Sequence, residues 1–278
     1  MKIGIGIPNA IPNTPGSIWT KWAVQAEKRG FSSLSTIGRI LFDCHEELLA
    51  LTACAAVTES IKLYTTVMIG PPRENALLAK QAATLQSLSG GRLTLGLGIG
   101  WRKSDFEVTG TEELWGRRGK ALAEQVQALR EIWSKGDIGP DPGTPPEIMV
   151  GGAAEAALKR AARIGDVFIA GPFPKEQVLE HFATVDEASG NKKLRKMTSR
   201  YFALGDDVRD EMLSNVRAYY EAGGEDFVQT MQDRVLTTPD QIRQAVEDMK
   251  STGADELCFW PQVNHLDQVD KLADIVFS

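Results

Sequence analysis

The chain has 278 residues, of which 42% are hydrophobic and 24% charged, and its formal net charge is -6. Such a composition belongs to an ordinary globular protein with ample material for a core. Its acidic balance argues against nucleic acid or an anionic membrane as the main partner, although a local basic patch stays compatible with it.

KIGIGI (Lys2–Ile7) reads as the first strand, with Ile3, Ile5 and Ile7 on one face and Gly4 and Gly6 on the other. In the following IWTKWAVQAEKRG, apolar Ile18, Trp19, Trp22, Ala23 and Ala26 recur at helical spacing and Gly30 marks the stop. The alternation continues with strand SSLSTI (Ser32–Ile37), helix EELLALTACAAVTES, strand KLYTTVMI (Lys62–Ile69) and helix ALLAKQAATLQSL. Strand RLTLGLGI (Arg92–Ile99) leads to a long helical run from Glu112 to Trp133. KGDIGPDPGTPP (Lys135–Pro146) reads as a surface loop rather than a domain linker. Beyond it come strand EIMVGG (Glu147–Gly152), helix EAALKRAARIG, and strands VFIAG (Val167–Gly171) and RYFALG (Arg200–Gly205). Helix TPDQIRQAVEDMKSTG opens on a Thr-Pro-Asp start signal, and strand ELCFWP (Glu256–Pro261) and helix LDQVDKLADIVF close the chain.

Eight strands, each followed by helical sequence, is the count of a (β/α)₈ TIM barrel, and the length fits its ~250 residues. A doubly wound open sheet is the structural alternative, because it too repeats the βα unit. One domain over residues 1–278 is expected. The longest apolar run, Leu48–Val57, falls short of the ~18 residues of a membrane span. The N-terminus lacks the apolar region of a secretory signal, and Cys44, Cys54 and Cys258 form no disulfide framework. A cytoplasmic location with reduced cysteines follows as the expectation.

The fourth strand raises a particular question. Leu93, Leu95, Leu97 and Ile99 alternate with Thr94, Gly96, Gly98 and Gly100, so one face is bulky and the other nearly bare. A barrel interior is normally filled by branched side chains. Small residues here imply either large neighbours such as Tyr64, Met68 or Trp260, or space kept for a flat ligand near the C-terminal mouth. Periodicity alone leaves both open.

RENALLAKQAATLQSLSGGRLTLGLGIGWRKSDFEVTG (Arg73–Gly110) resembles the signature region of the luciferase-like family of flavin- or F420-dependent oxidoreductases. The likeness lies in the Arg-x-Asn segment, the Leu-Ala-Lys-x-x-Ala-Thr-Leu run, Ser-Gly-Gly-Arg-Leu and Gly-x-Gly-x-Gly-Trp. PPEIMVGGAAEAALKRAARIGDVFIAG (Pro145–Gly171) resembles a second family block, and the YFALGDD and DELCFWP…DQVDKLADIV segments resemble one subgroup. The resemblance implies a bacterial-luciferase-like TIM barrel with a reduced flavin or deazaflavin ring, FMN or F420, at its C-terminal mouth. By position it implies a cis non-proline bond between Thr66 and Val67, against the ring. Gly98 and Gly100 match the strand end near the cofactor, and Ser104 lies near a position that hydrogen-bonds the ring system. Gly151, Gly152 and Ala153 match the phosphate region, with Gly171 and Pro172 as its neighbouring wall. Read without the family, the Gly-Gly-Ala turn is either an anion site at a helix start or a plain tight turn.

The implied catalytic positions depart from the pattern. Trp101 stands where some F420 relatives carry a catalytic acid, and Gly38-Arg39 stands where many carry Asp-His. Arg39 is a poor base but suits an anionic substrate or the cofactor's edge. His45, further along that loop, offers an imidazole for proton transfer; a surface role is the alternative. His181 and His265 read as surface residues. Asp105 and Glu107 are loop carboxylates able to serve as acid or base, and GRRGK (Gly116–Lys120) reads as a solvated face or as a contact for an acidic cofactor tail. No His/Asp/Glu set suggests a metal, and no GxSxG elbow is present.

The expected activity is monooxygenation or hydride transfer on a small organic substrate. A separate flavin or F420 reductase is the expected partner, because no NAD(P) fingerprint is visible; a homo-oligomer is expected, with neither nucleic acid nor membrane as partner. A non-catalytic barrel that binds the cofactor without turnover is the rival reading. A cofactor-free aldolase or isomerase is the weakest, since the strand ends carry mainly glycine, proline and apolar residues.

Overall fold

A computed structural model describes residues 1–278. Its strands are β1 (Lys2–Gly6), β2 (Ser33–Thr36), β3 (Lys62–Thr65), β4 (Met68–Ile69), β5 (Leu93–Gly98), β6 (Glu147–Gly151), β7 (Val167–Ala170), β8 (Arg195–Phe202), β9 (Val235–Leu236) and β10 (Glu256–Pro261). All pairings are parallel, and β10 bonds to both β8 and β1, which closes the ring. The barrel is eight-stranded because β3 and β4 are two halves of one interrupted strand and β9 only extends the edge of β8. A closed parallel (β/α)₈ barrel is therefore the fold, and the open-sheet alternative falls.

The helices are α1 (Ile18–Lys28), α2 (Glu47–Ala55), α3 (Asn75–Leu88), α4 (Lys103–Val108), α5 (Arg118–Lys135), α6 (Glu155–Ile164), α7 (Lys175–Ser189), α8 (Arg209–Tyr220), α9 (Glu225–Asp233), α10 (Pro239–Ser251) and α11 (Gln268–Val276). α10 begins with the expected signal in full: Thr238 and Gln241 form a reciprocal capping box with Pro239 in the first turn. No helix is long and apolar enough to cross a membrane.

Three expectations need correction. The run from Glu112 is a 3₁₀ turn through Arg117 before α5 begins. The seventh strand runs over Arg195–Phe202 rather than Arg200–Gly205. Its first half escapes a hydropathy reading because Arg195 carries charge, yet that charge is paired with Glu147 at 2.8 Å and Glu256 at 3.4 Å. His181 is buried rather than on the surface; it packs edge-on to Phe173 at 5.1 Å, and burial lowers its pKa.

Leu93, Leu95 and Leu97 do face the helix layer, in one core with Leu78, Ala82, Leu122 and Val126. Inside the barrel, Tyr64, Met149, Val167, Ile169 and Met197 form a separate apolar plug. At its base Glu256, 1% exposed, accepts hydrogen bonds from Ser32, Ser33, Tyr64 and Arg195. A buried carboxylate so fully partnered offsets much of its desolvation cost.

The glycine face of β5 is mostly filled by protein. A Cβ on Gly96 would stand 1.8 Å from the Thr65 carbonyl oxygen, and one on Gly98 would stand 2.6 Å from a Val67 methyl. On β1, a Cβ on Gly6 would stand 2.4 Å from the Trp260 ring. Large or close neighbours thus account for these glycines, and the open space lies one layer higher.

The signature arginine of Ser-Gly-Gly-Arg-Leu is structural. Arg92 uses all five donors on Ser89 O, Thr58 Oγ1, Ile61 O, Ala55 O and Thr58 O at 2.7–3.1 Å, at the end of α2. Lysine cannot reproduce that fork, so Arg92→Lys is expected to lose about 3 kcal/mol in denaturant unfolding. Gly96→Ala is expected to cost about 3 kcal/mol by overpacking against backbone that has nowhere to go; a wild-type midpoint for Gly96→Ala would refute the close approach.

Candidate active site

The barrel's C-terminal mouth holds a cavity of about 390 Å³, within the range of small-molecule sites. Its floor is the interruption between β3 and β4. The Thr66–Val67 bond is cis, as implied. Thr65 Oγ1 donates to Gly96 O at 2.8 Å and accepts from Gly96 N at 2.7 Å, so a hydroxyl takes over where the ladder breaks. Thr66 N donates to Thr36 O at 2.7 Å. Val67 is thereby held against Gly98 and Gly151, where it meets the cavity.

The cavity brings together Arg39, Thr66, Val67, Gly98, Gly100, Trp101, Gly151, Gly152, Gly171 and Pro172. Three predicted residues stay outside its lining. Ala153 is exposed on the turn into α6, and Ser104 is half-buried on α4. His45 is exposed and packs edge-on to Trp19 at 4.7 Å, behind the β2 loop.

Arg39 reaches the wall through a loop fixed from below. Asp105, 1% exposed, accepts hydrogen bonds from the Ile40 and Leu41 amides at 3.1 and 2.7 Å. Its role is to hold that loop, and it does not line the cavity. Arg39 itself donates to the Tyr219 and Leu41 carbonyls at 3.1 Å, lies 4.5 Å from the Phe42 ring centroid, and leaves Nε unpartnered. Burial, then the nearby Arg102, lowers its pKa. Trp101 is 45% exposed at the rim, tilted against Phe227 with centroids 6.1 Å apart.

Sequence reading missed the opposite wall. Tyr201 on β8, Tyr219 and Tyr220 at the end of α8, and Trp260 on β10 all line the cavity, and the Tyr201 and Tyr220 hydroxyls hydrogen-bond each other. The signal for this wall in the sequence is the Tyr219-Tyr220 pair, with Phe227 seven residues on from Tyr220. The lining contains no carboxylate, imidazole, thiol or amine. Nor does any cluster of three or more His, Cys, Asp or Glu offer a metal site.

Gly152 lets the β6–α6 turn pack tightly, since a Cβ there would stand 2.5 Å from that of Ala157. Ala154, the N-cap of α6, offers no side-chain cap, which leaves first-turn N–H groups for an anion or solvent. Arg118 lines the cavity beside this turn with its Nε buried and unpartnered. A flat ring in the cavity and a phosphate at the turn therefore fit the groups present, which can supply aromatic and aliphatic walls, donors and positive charge.

A family model described as luciferase-like monooxygenase matches residues 1–256. Among curated relatives, pyrimidine monooxygenase RutA from Escherichia coli strain SMS-3-5 is 33% identical over 140 residues, covering 44% of this chain and 38% of that enzyme. The match thus spans well under half of the relative's length. An F420-dependent secondary alcohol dehydrogenase in complex with an F420–acetone adduct superposes with TM-score 0.78 at 18% identity, covering 99% of this chain and 98% of the other. The FMN complex of the oxygenating constituent of 3,6-diketocamphane monooxygenase, a type II Baeyer–Villiger enzyme from Pseudomonas putida, gives TM-score 0.73 at 18% identity over 93% and 91%. At such identities these two likenesses speak for the fold alone.

All four tyrosines hold their protons tightly. Burial raises Tyr64, Tyr219 and Tyr220 and pushes Tyr201 up to about 12. A group with a raised folded pKa contributes full stability below its unfolded value near 10, and that contribution is lost as pH rises through the folded value. Tyrosinate absorbance is therefore expected to appear between about pH 10 and 12 only together with unfolding seen by circular dichroism. Tyrosinate forming at pH 10 in a folded protein would contradict the buried aromatic wall.

Proposed function

The chain belongs to the luciferase-like monooxygenase family, and we propose that it is an FMN- or F420-dependent oxidoreductase acting on a small organic substrate, with the cofactor ring in the mouth cavity. The observation that carries this reading is the cavity itself: a glycine-flanked floor at Val67, an aromatic wall, and a cationic turn beside it. The cofactor supplies the redox chemistry when bound, by hydride transfer or by delivery of electrons to oxygen.

The protein's part is orientation, dryness and proton handling. Val67 and Ile169 offer an apolar seat for one ring face, while Trp260 and the tyrosines close the opposite side against water. Arg39, held by two carbonyls, presents fixed positive charge to a substrate oxygen or to the ring edge. Tyr201 is the proton donor in this reading: its phenol stays neutral, and Tyr220 is hydrogen-bonded to it as the next member of a relay. Reduced cofactor comes from a separate reductase, since the sequence carries no dinucleotide fingerprint. One observation favours a second reading, a barrel that binds the ring without turnover: no carboxylate or imidazole lines the cavity.

Titration with FMN and with F420, each oxidised and reduced, is expected to quench tryptophan emission, because Trp101 and Trp260 line the cavity, and to raise the melting temperature. Absence of both effects with every form would sink the proposal. Tyr201→Phe is expected to bind the ring within about twofold of wild type but to turn over roughly 10²-fold more slowly. Ring binding without oxygen uptake or substrate conversion in wild type would support the non-catalytic barrel instead.

A further inference from the structure

The mouth cavity carries two guanidiniums, Arg39 and Arg118, and no carboxylate. They stand at different strand ends: Arg39 follows β2 and Arg118 lies beside the turn after β6, with β3 and β5 between those two strands. A cofactor phosphate seated at the α6 turn would answer Arg118. Arg39, in the other half of the lining, is left without a counter-charge.

Arg39 is only 8% exposed, so its charge is costly unless something balances it. Its partners, the Tyr219 and Leu41 carbonyls at 3.1 Å, are uncharged and occupy two of its five donors, and its Nε–H has no partner. Arg102 adds to the cost: it donates to the same Tyr219 carbonyl at 2.9 Å, and its like charge acts on Arg39. Carbonyls in the last turn of α8 favour cations, but the half-charge of a helix end does not neutralise two full ones. Asp105, whose charge also acts on Arg39, spends its Oδ1 on the Ile40 and Leu41 amides and stays outside the lining. Beside Arg39 the wall is apolar and aromatic: Ile37 and Tyr220 pack with Trp260, and all three line the cavity.

We propose that the substrate is a small carboxylic acid with an apolar body, its carboxylate held by Arg39 and its body lying against Ile37, Tyr220 and Trp260. This rests on the cofactor reading above and names the substrate class within it. One guanidinium in that half of the lining matches a monoanion, and its planar fork matches the two oxygens of a carboxylate. A dianionic phosphate would call for a second cation there, and Arg102 stands outside the lining. A neutral substrate would leave the buried charge unbalanced.

The test is a set of absorbance and fluorescence titrations of the full chain, loaded with whichever of FMN or F420 it binds, using two matched pairs: butyrate against butyramide and benzoate against benzamide. In at least one pair the acid is expected to bind at least ~10-fold more tightly than the amide, with the ring still bound and the advantage shrinking as salt rises. Arg39→Gln is expected to bring that ratio to about one while ring affinity stays within about twofold of wild type, and Arg39→Lys to keep part of the preference. Because the readout is a ratio, a loosened α8 end that weakens acid and amide alike leaves it unchanged. Equal binding of acid and amide in both pairs, binding of none of the four, or a ratio unchanged in Arg39→Gln overturns the carboxylate assignment while the ring site stands. So does an acid that displaces the ring, or an Arg39→Gln protein that loses the ring, since either gives Arg39 to the cofactor. Failure of the wild-type chain to bind either ring overturns the cofactor reading and the carboxylate assignment together.

Discussion

The site depends on one close approach. Where β3 breaks, Thr65 and Val67 press against a strand that has no side chains to push back: Gly96 meets the Thr65 carbonyl and Gly98 the Val67 methyls. The hydroxyl of Thr65 replaces the lost ladder bonds by both donating to and accepting from Gly96. Val67 can therefore rise into the barrel's mouth while the Gly96 amide and carbonyl stay paired. The height of the cavity floor is thus set by the absence of two Cβ atoms on the neighbouring strand.

Around that floor the sequence divides labour between arginines that build and arginines left over. Arg92 ties the end of α2 to the start of β5 through four carbonyls and the Thr58 hydroxyl. Arg73, from the Arg-x-Asn segment, pairs with Glu46 and Glu47 at 2.7 and 2.8 Å and fixes the entry to α3 beside the mouth. Glu47 in turn packs beneath Gly38, where a Cβ would collide with its carboxylate at 2.2 Å. These signature residues therefore act through the loops they hold. Of the four guanidiniums with a buried, unpartnered Nε, Arg39 and Arg118 reach the cavity, and Arg102 and Arg160 do not.

Much of this was readable in the sequence. Strict alternation in β1 and β5 revealed both the strands and the bare face, because a two-residue period leaves no other arrangement for the leucines and isoleucines. Family-like motifs pointed to the glycines, Thr66 and Val67, and these do converge on one cavity. What stayed hidden were features decided by long-range pairing. The charged start of β8 is a strand only because Glu147 and Glu256 neutralise Arg195. α8 and α9 carry no strong apolar stripe of their own beyond Met212, Val216, Val228 and Met231. Their aromatic residues acquire meaning only when Tyr201 and Trp260 arrive from distant strands. Whether a glycine makes room for open space or for a neighbour is likewise a tertiary fact, and here both hold in successive layers.

The composition of the cavity wall carries one last consequence. Hydroxyls, indoles, guanidiniums and backbone are its polar groups, and burial holds the phenols among them neutral well into alkaline conditions. A wall of this kind keeps the same charge from mildly acidic to mildly alkaline solution. It behaves towards its guest as a solid matrix of constant field rather than as a buffer. Changes of charge inside it are therefore those of a guest and its solvent, while the tyrosine hydroxyls stay neutral and the guanidiniums stay charged.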